Sequence, residues 1–349
     1  MLQRVLIFSK SKRRTCFPRS LSRGLNALGH EARICYYPRL RSNFGVRIAR
    51  AMARRAFDKL RPDLVFVYAK DCDLELLEGF ARKTRCLVYS EDLAVPLDQK
   101  LLALARVAGL LLLTNRTQLP EFEAGGVERA CFILSAVDPE EHRPFVGNVP
   151  FRLRSQVAFI GRPGNPQRLA LLEKLHERFD VRVHGSGGWA ALGLEQGRPQ
   201  VLPAQYAQIC AGADVVIGLD DRHDHEAYCS NRTWLTLGCH GFLVTSHSPG
   251  LDRILKDREH VVFFRSHDEC VERVAEYLDR KDERRRIAES GYAWVTSHRT
   301  FKAFAREVLG AVAGSPPVYE GREAGTRRPG SKTELFEDGK GPGIGGGLG

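Results

Sequence analysis

A chain of 349 residues is longer than most single hydrophobic cores, so we expect two domains of roughly 150 residues each and a tail. Apolar residues make up 43% of it, which supports buried cores, yet no run approaches the roughly 18 apolar residues that cross a bilayer. The net charge of +11 makes the protein basic, and a basic protein attracts acidic partners.

The first residues read as a strand, without the apolar run and small-residue cleavage site of a secretory signal. We therefore expect a cytoplasmic protein. Its nine cysteines are scattered and never lie two residues apart, so they predict buried reduced thiols rather than a disulfide frame or a zinc site.

The first part of the chain alternates short apolar runs with segments of helical periodicity, such as 43–60 and 97–108. This alternation predicts a doubly wound α/β domain over residues 1–145, the domain that would take the acceptor. The predicted strands are 4–8, 32–36, 64–68, 86–89, 109–113 and 130–134.

Positive charge is concentrated at the start of the chain, where the first 60 residues hold twelve arginines and three lysines against Glu31 and Asp58. This excess favours a polyanionic acceptor, an acidic membrane surface at which the protein would be peripheral or, less favoured, nucleic acid. The alternative is a solubilising basic face. Seven arginines lie on a loop and two helices of this region: Arg13, Arg14, Arg19, Arg47, Arg50, Arg54 and Arg55.

Two carboxylates, Glu91 and Asp92, follow the fourth predicted strand and should reach the cleft between the domains. They are the candidates for orienting or deprotonating an acceptor hydroxyl. A helix N-cap is the competing role for Asp92.

A stretch rich in proline and glycine, 138–154, predicts the interdomain linker, and a second α/β series then fills residues 146–313. Its predicted strands are 156–160, 181–184, 214–219, 242–245 and 260–264. Residues 314–349 are dominated by glycine, proline and charged residues, which predicts a disordered tail.

Two glycine-containing turns follow the first two strands of the second series. Arg162 and Arg168 flank the first turn, where backbone N–H groups and guanidinium donors suit a phosphate. The second turn holds Gly185, Ser186 and Gly187 before Trp189, whose indole suits packing near a base or ribose. The alternatives are an ordinary turn with a solvated arginine and a core tryptophan.

A third segment, 230–245, predicts a helix that Ser230 or Asn231 caps and whose first turn carries Arg232, at the end where the helix dipole favours anions. Gly241 would end that helix. Just before it, residues 220–226 hold two histidines and four acids; hydrogen bonding to neighbouring N–H groups is favoured there over a metal site.

These segments resemble the C-terminal domain of CgeB-like glycosyltransferases over residues 155–310. The matching pieces are Phe-Ile-Gly at 159–161, His-Gly-Ser-Gly-Gly-Trp at 184–189, Ser-Asn-Arg at 230–232, Gly-Cys-His-Gly at 238–241 and Pro-Gly-Leu at 249–251. The resemblance implies a GT-B fold, two Rossmann-like doubly wound domains facing a cleft. It also implies a nucleotide-sugar donor bound by the C-terminal domain, without an obligatory metal or other cofactor.

The sequence departs from related retaining transferases at their two glutamates, which stand eight positions apart. With Leu235 at the second position, the first falls on Ala227, and Glu226 lies one residue away. We expect glycosyl transfer from a nucleoside-diphosphate sugar. The alternatives are a non-catalytic module that binds a nucleotide or polyanion, and another chemistry on the same fold, such as epimerisation.

Overall fold

The computed structural model describes residues 3–10, 16–93, 95–164, 166–185, 187, 189, 201–220 and 224–319. The first domain is built on a parallel sheet in the order β2-β1-β3-β4-β5-β6. Its strands are β1 (Arg4–Phe8), β2 (Glu31–Cys35), β3 (Leu64–Tyr68), β4 (Arg85–Ser90), β5 (Leu110–Leu113) and β6 (Arg129–Phe132). Its helices are α1 (Phe17–Asn26), α2 (Tyr37–Leu60), α3 (Leu74–Ala81), α4 (Gln99–Ala108) and α5 (Leu119–Ala124).

The second domain has a parallel sheet in the order β11-β10-β9-β7-β8. Its strands are β7 (Ser155–Ile160), β8 (Val181–His184), β9 (Ala213–Gly218), β10 (Leu243–Ser246) and β11 (Val262–Phe264). The later helices are α6 (Pro166–His176), α7 (Pro203–Gly212), α8 (Asn231–Gly238), α9 (His267–Asp279), α10 (Lys281–His298) and α11 (Phe301–Val312). Within the described ranges, no helix is long and apolar enough to cross a membrane.

The predicted fold class is confirmed: both domains are α/β with parallel sheets, and every predicted strand is present with ends within two residues of the prediction. The apolar runs succeed as predictors because helices cover both faces of each sheet. In β1, for example, Val5, Leu6 and Ile7 are all buried although they point alternately to opposite faces.

Both sheets share one strand order, in which the chain first adds a strand on one side and then continues on the other. The direction reverses between β1 and β3 in the first domain and between β7 and β9 in the second. At such a reversal, neighbouring connections leave the carboxyl ends of the strands toward opposite faces and open a crevice. The carboxyl ends of β7 and β9 are therefore the expected ligand position.

The last helix corrects the predicted domain boundary, because α11 packs on the first domain rather than within residues 146–313 as part of the second. Phe304 and Val308 lie in one core cluster with Ile7 of β1 and Tyr89 of β4. The approach to α1 is close, since a Cβ at Gly24 would lie 2.3 Å from the Phe301 carbonyl oxygen. The chain thus crosses between the domains twice.

A buried arginine joins the two crossings. Arg299, fully buried, donates from Nε to the Ser135 carbonyl oxygen at 3.2 Å and from Nη2 to the Leu134 carbonyl oxygen. Its Nη1 donates to Glu307 of α11 at 2.5 Å. Next to it, the Val137 N–H donates to the Arg299 carbonyl at 2.8 Å. The segments that enter and leave the second domain are therefore held side by side.

The segment after α11 packs against the protein for several residues beyond the predicted start of the tail at 314. Pro317 is buried, and Arg116 donates to the Tyr319 carbonyl oxygen. The Tyr319 ring lies 5.7 Å from the Arg299 guanidinium carbon. Residues 320–349, on which most of the predicted disorder falls, lie outside the described residues.

We predict that deleting 320–349 leaves the melting temperature within 1–2 °C of the full chain, whereas deleting 316–349 lowers it by roughly 2–8 °C. Only the second deletion removes Pro317 and Tyr319 and leaves Arg116 without that acceptor. Differential scanning calorimetry of both truncations measures the two changes. Equal melting temperatures for the two truncations would show that residues 316–319 contribute nothing.

Candidate functional site

The loops that follow β7 and β8 contact each other through their backbones, at the point where the two strands end. The Gly161 N–H donates to the His184 carbonyl oxygen at 2.8 Å, and a Cβ at Gly185 would lie 2.1 Å from the Gly161 carbonyl oxygen. Gly185 also has φ +124°, which disfavours any side chain. The predicted glycine at this position is thus required for the packing of two loops.

The same loops place the other predicted residues of the second turn. A Cβ at Gly187, with φ +133°, would lie 2.3 Å from Cδ of Pro163. Ser186 lies outside the described residues. Trp189 is fully buried and meets Phe159 edge-on at 5.8 Å, so we assign its indole to the core and correct its predicted contact with a base or ribose.

Two arginines converge on Phe159 at the carboxyl ends of β7 and β9. The guanidinium carbon of Arg168 lies 5.4 Å from the centre of the Phe159 ring, and that of Arg232 lies 4.8 Å from it. Both side chains donate from Nη2 to the Leu219 carbonyl oxygen at 3.2 Å. We call these two side chains the arginine pair.

Each member of the arginine pair also binds the end of β7. Arg168 donates from Nη1 to the Arg162 carbonyl oxygen at 2.9 Å, and Arg232 donates from Nη1 to the Ile160 carbonyl oxygen at 3.1 Å. The pair therefore joins the strands at the reversal point. A Cβ at Gly161 would lie 2.4 Å from Nη1 of Arg232, so this reach depends on glycine there.

The arginine pair brings two positive charges to one edge of the sheet. Arg168 is 5% exposed and the Arg232 side chain 12%, and the carboxylate of Asp220 lies 3.5 Å from Arg232. Two guanidinium groups at one edge attract a ligand of negative charge. Arg162, exposed on the loop after β7, adds to the positive field.

The start of α8 lies at the same edge. Asp220 accepts the Ser230 N–H at 3.1 Å, and the Ser230 hydroxyl accepts from Arg232 at 3.3 Å rather than capping the helix. Asn231, the first residue of α8, is exposed. The first N–H groups of the helix therefore face the crevice without a side-chain cap, in the position that binds anions.

Gly241 belongs to the other end of α8, so its predicted place in the donor site is wrong. Its N–H donates to the Thr236 carbonyl oxygen at 2.9 Å and thereby ends the helix. A Cβ there would lie 2.8 Å from the Thr236 methyl group and 3.1 Å from the Cys210 sulfur. Because α8 runs antiparallel to its neighbouring strands, this glycine lies at the amino edge of the sheet, opposite Ser230.

On the first domain, Glu91 is held rather than free. Its carboxylate accepts hydroxyl donors from Tyr68 at 2.8 Å, Tyr89 at 3.0 Å and Ser135 at 2.8 Å. Burial and the adjacent Glu91 charge raise the pKa of Tyr68, so its hydroxyl stays a donor. These bonds fix the loop after β4 and leave Glu91 a positioning residue.

Asp92 is exposed beside Glu91, and its N–H donates to the Ser90 hydroxyl at 3.3 Å. The competing prediction, a helix N-cap, is wrong: Asp98 caps α4 by accepting the Leu101 N–H at 2.9 Å. The Asp92 carboxylate therefore remains available to a ligand at the cleft edge of the first domain.

Glu226, which the sequence places one residue from an expected glutamate position, lies where the two domains meet. Glu226 Oε1 lies 3.8 Å from Nη1 of Arg116, and its N–H donates to the Thr117 hydroxyl at 3.3 Å. Gly250, in the loop after β10, has a Cβ position 3.4 Å from Cγ of Glu226. With Ala227 and Leu235 at the two expected glutamate positions, Glu226 is the nearby carboxylate that contacts the first domain.

No group of three metal-ligating side chains occurs among the described residues. Of the acidic and histidine cluster at 220–226, residues 221–223 lie outside the described ranges. The described part is engaged with protein: Asp220 with Ser230 and Arg232, and Glu226 with the first domain.

We predict that Arg232→Ala lowers the free energy of unfolding by about 2–4 kcal/mol, because it removes three charge-assisted hydrogen bonds and leaves carbonyls at the reversal point without that donor. Asn231→Ala, one residue earlier and exposed, should change it by less than about 0.5 kcal/mol. Urea unfolding of both variants measures the difference, and equal stabilities would exclude a structural role for Arg232.

Comparison with known proteins gives one match by sequence and several by structure. Residues 167–310 match the family model described as glycosyl transferase-like. This segment begins in α6 and ends in α11, and so includes both members of the arginine pair. A search of curated proteins found no match.

Several solved structures share the architecture at low identity. The Anabaena protein HepE in complex with UDP and glucose superposes with TM-score 0.61 at 12% identity, over 89% of this chain and 100% of that one. Sucrose-phosphate synthase from Thermosynechococcus elongatus gives 0.66 at 11% identity, over 89% and 98%. A glycosyltransferase from Rickettsia africae gives 0.63 at 10% identity, over 90% and 98%. The chain has the GT-B fold and carries a glycosyltransferase-like domain over residues 167–310.

Proposed function

We propose that the protein transfers a sugar from a nucleoside-diphosphate donor to an acceptor in the cleft between its domains. The observation that carries the proposal is the arginine pair at the reversal point of the second sheet, which lies beside the start of α8, a helix without a side-chain cap. Guanidinium groups and helix N-termini are the groups that bind phosphate in proteins.

The known proteins support the same donor class. HepE, which shares the fold, binds UDP-glucose in one structure and UDP in another. The glycosyl transferase-like match covers the elements that form the crevice after β9. The narrower resemblance to CgeB-like enzymes stays a prediction.

In the proposed reaction the bond between the anomeric carbon and the diphosphate oxygen breaks, and a bond to an acceptor oxygen forms. Negative charge grows on the departing diphosphate. The arginine pair, Arg162 and the start of α8 would stabilise it. The arginine pair is held by backbone carbonyls before the reaction begins, so it needs no rearrangement. The positive charge comes from the chain, so the proposal requires no metal or other cofactor.

The acceptor would enter from the first domain. Asp92 lies exposed on a loop that Glu91 fixes through three hydroxyl groups, and it is the candidate to take the acceptor proton. Glu226, at the junction with Arg116, is the candidate to contact the donor sugar.

One observation favours a second function, a non-catalytic module that binds a nucleotide or polyanion. Ala227 and Leu235 stand where related retaining enzymes carry glutamates, and both side chains are packed against other apolar groups. Such a module would bind the donor and leave it intact.

Release of nucleoside diphosphate separates the two functions. Purified protein is screened with UDP-, GDP- and ADP-sugars by thermal shift, where a donor at 100 times its Kd adds about 2.7 kcal/mol of stability. The donors that bind are then incubated with protein, and free nucleotide is measured. Slow release of nucleotide supports the transferase, whereas saturable binding without any release favours the module.

We predict that Asp92→Asn lowers turnover by roughly 10²–10⁴-fold and changes donor Kd by less than about twofold, because the amide cannot accept the acceptor proton. The matched control is Asp282→Asn, an exposed carboxylate on α10 outside the cleft, which should change neither quantity. Full turnover by Asp92→Asn would remove this residue from the reaction.

A further inference from the structure

One helix leaves a group of large apolar side chains in solvent. Of the ten such side chains that the described part of the chain exposes, four fall within nine residues of α2. They are 53%, 40%, 54% and 44% exposed: Phe44, Val46, Ile48 and Met52. We call them the apolar corner. Scattered exposed apolar residues are ordinary, but a cluster of this kind marks an interaction surface.

The core does not require these residues. The helix breaks at Gly45, with φ +76° and ψ +168°, and after the break Ala49, Ala53 and Phe57 face the sheet. Ile48 and Met52 lie four residues apart on a side of the helix that does not face the sheet. Polar side chains there would be equally compatible with the fold.

Unpaired positive charge surrounds the apolar corner. Arg55 and Lys59 continue the stripe of Ile48 and Met52 at spacings of three and four residues, and both are exposed. Arg39, Arg41 and Arg47 are exposed on the same helix. For these five cations the described residues provide no ion pair or side-chain hydrogen bond.

Two other arginines of the first 60 residues differ from these five cations, because acidic side chains already neutralise them. Arg50 pairs with Asp73 at 2.9 Å and also with Glu75, and Arg54 pairs with Glu75 at 3.0 Å. Arg50 and Arg54 therefore have acidic partners and add little to the free positive charge. The remaining positive charge lies around the apolar corner.

The corner lies near the cleft. Tyr37 begins α2 directly after β2 ends, at the carboxyl edge of the first sheet, and the helix then runs back to Leu60. Residues 46–60 span about 22 Å at 1.5 Å per residue, already longer than a five-residue strand at about 17 Å. Residues near Phe44 therefore project at the edge that faces the cleft.

We propose that the apolar corner and its cations dock the protein on an anionic lipid surface. Phe44 and Ile48 would enter the boundary between headgroups and acyl chains, while Arg47, Arg55 and Lys59 contact phosphate. Dimerisation through this surface would place the same cations against each other, and their repulsion disfavours it. A nucleic-acid backbone would leave the apolar side chains without a partner. The proposal does not depend on the transferase activity.

The test is co-sedimentation of the full chain with vesicles of phosphatidylcholine alone and with about 30% phosphatidylserine, at 50 mM and 150 mM salt. We expect binding to the anionic vesicles only, and weaker binding at the higher salt. Arg47→Glu/Arg55→Glu should lower the partition coefficient at least tenfold, since each near-surface charge contributes about 1 kcal/mol.

Phe44→Ser/Ile48→Ser should lower the partition coefficient by about tenfold and leave the melting temperature unchanged, because both side chains are exposed. Two matched controls should bind like the original chain. Lys302→Glu/Arg306→Glu makes the same charge change on α11, which covers the opposite face of the sheet from α2. Val146→Ser/Phe151→Ser removes two other exposed apolar side chains.

Phe44→Trp places an indole at the corner. Of the three native tryptophans, Trp189 and Trp234 are buried and Trp294 is half-buried, so the signal is the difference from the original chain. The emission of the added indole should shift to shorter wavelength on anionic vesicles and be quenched by brominated acyl chains. The proposal is overturned if the original chain does not bind anionic vesicles at 50 mM salt. It is also overturned if Phe44→Ser/Ile48→Ser binds these vesicles as tightly as the original chain. Loss of a dimer or of duplex DNA binding in the variants, without any effect on vesicles, would also overturn it.

Discussion

The carbonyl oxygen of Leu219 accepts hydrogen bonds from both Arg168 and Arg232, and the geometry of the site depends on this shared acceptor. Each arginine also binds the end of β7, so the two strands at the reversal point are joined through two guanidinium groups. The glycine at 161 makes room for one of these groups. The same contacts that order the loops place two positive charges at the edge where the diphosphate is proposed to bind.

A second constraint fixes how this site meets the first domain. Arg299 binds the chain that enters the second domain and, through Glu307, the helix that returns to the first. The return of α11 means that the first domain is completed by the end of the chain. Glu226 and Arg116 face each other across the same junction. The residues proposed to contact donor and acceptor are therefore held on two domains whose connecting segments are packed together.

The sequence predicts the fold well because its signals are local. Apolar runs buried on both faces mark strands such as β3, and apolar residues at helical spacing over 97–108 mark α4. Local signals cannot say which domain a terminal helix covers, and α11 was therefore assigned to the wrong one. The apolar periodicity of α11 predicts that one face of the helix packs against another surface. It does not predict which domain provides that surface.

The site was predicted less completely for related reasons. The sequence identifies Arg168 and Arg232 as cations near strand ends, but each also donates to a backbone carbonyl more than 50 residues away, which no motif specifies. Gly241 and Trp189 were assigned to the ligand because glycine and tryptophan are common in binding loops. One ends a helix and the other fills the core, and the three-dimensional packing decides between these roles.

Calorimetric titration with UDP, GDP and ADP tests most directly whether the carboxyl edge of the second sheet binds a nucleoside diphosphate. Arg162 is the informative position, because its exposed side chain adds charge to the loop while the arginine pair holds the fold. We predict saturable binding of at least one nucleotide and a Kd about tenfold weaker for Arg162→Ala, equivalent to about 1.4 kcal/mol. Arg178→Ala, exposed just beyond the far end of α6, should bind like the original chain. Equal affinity in both variants, or no binding of any nucleotide, would contradict the account.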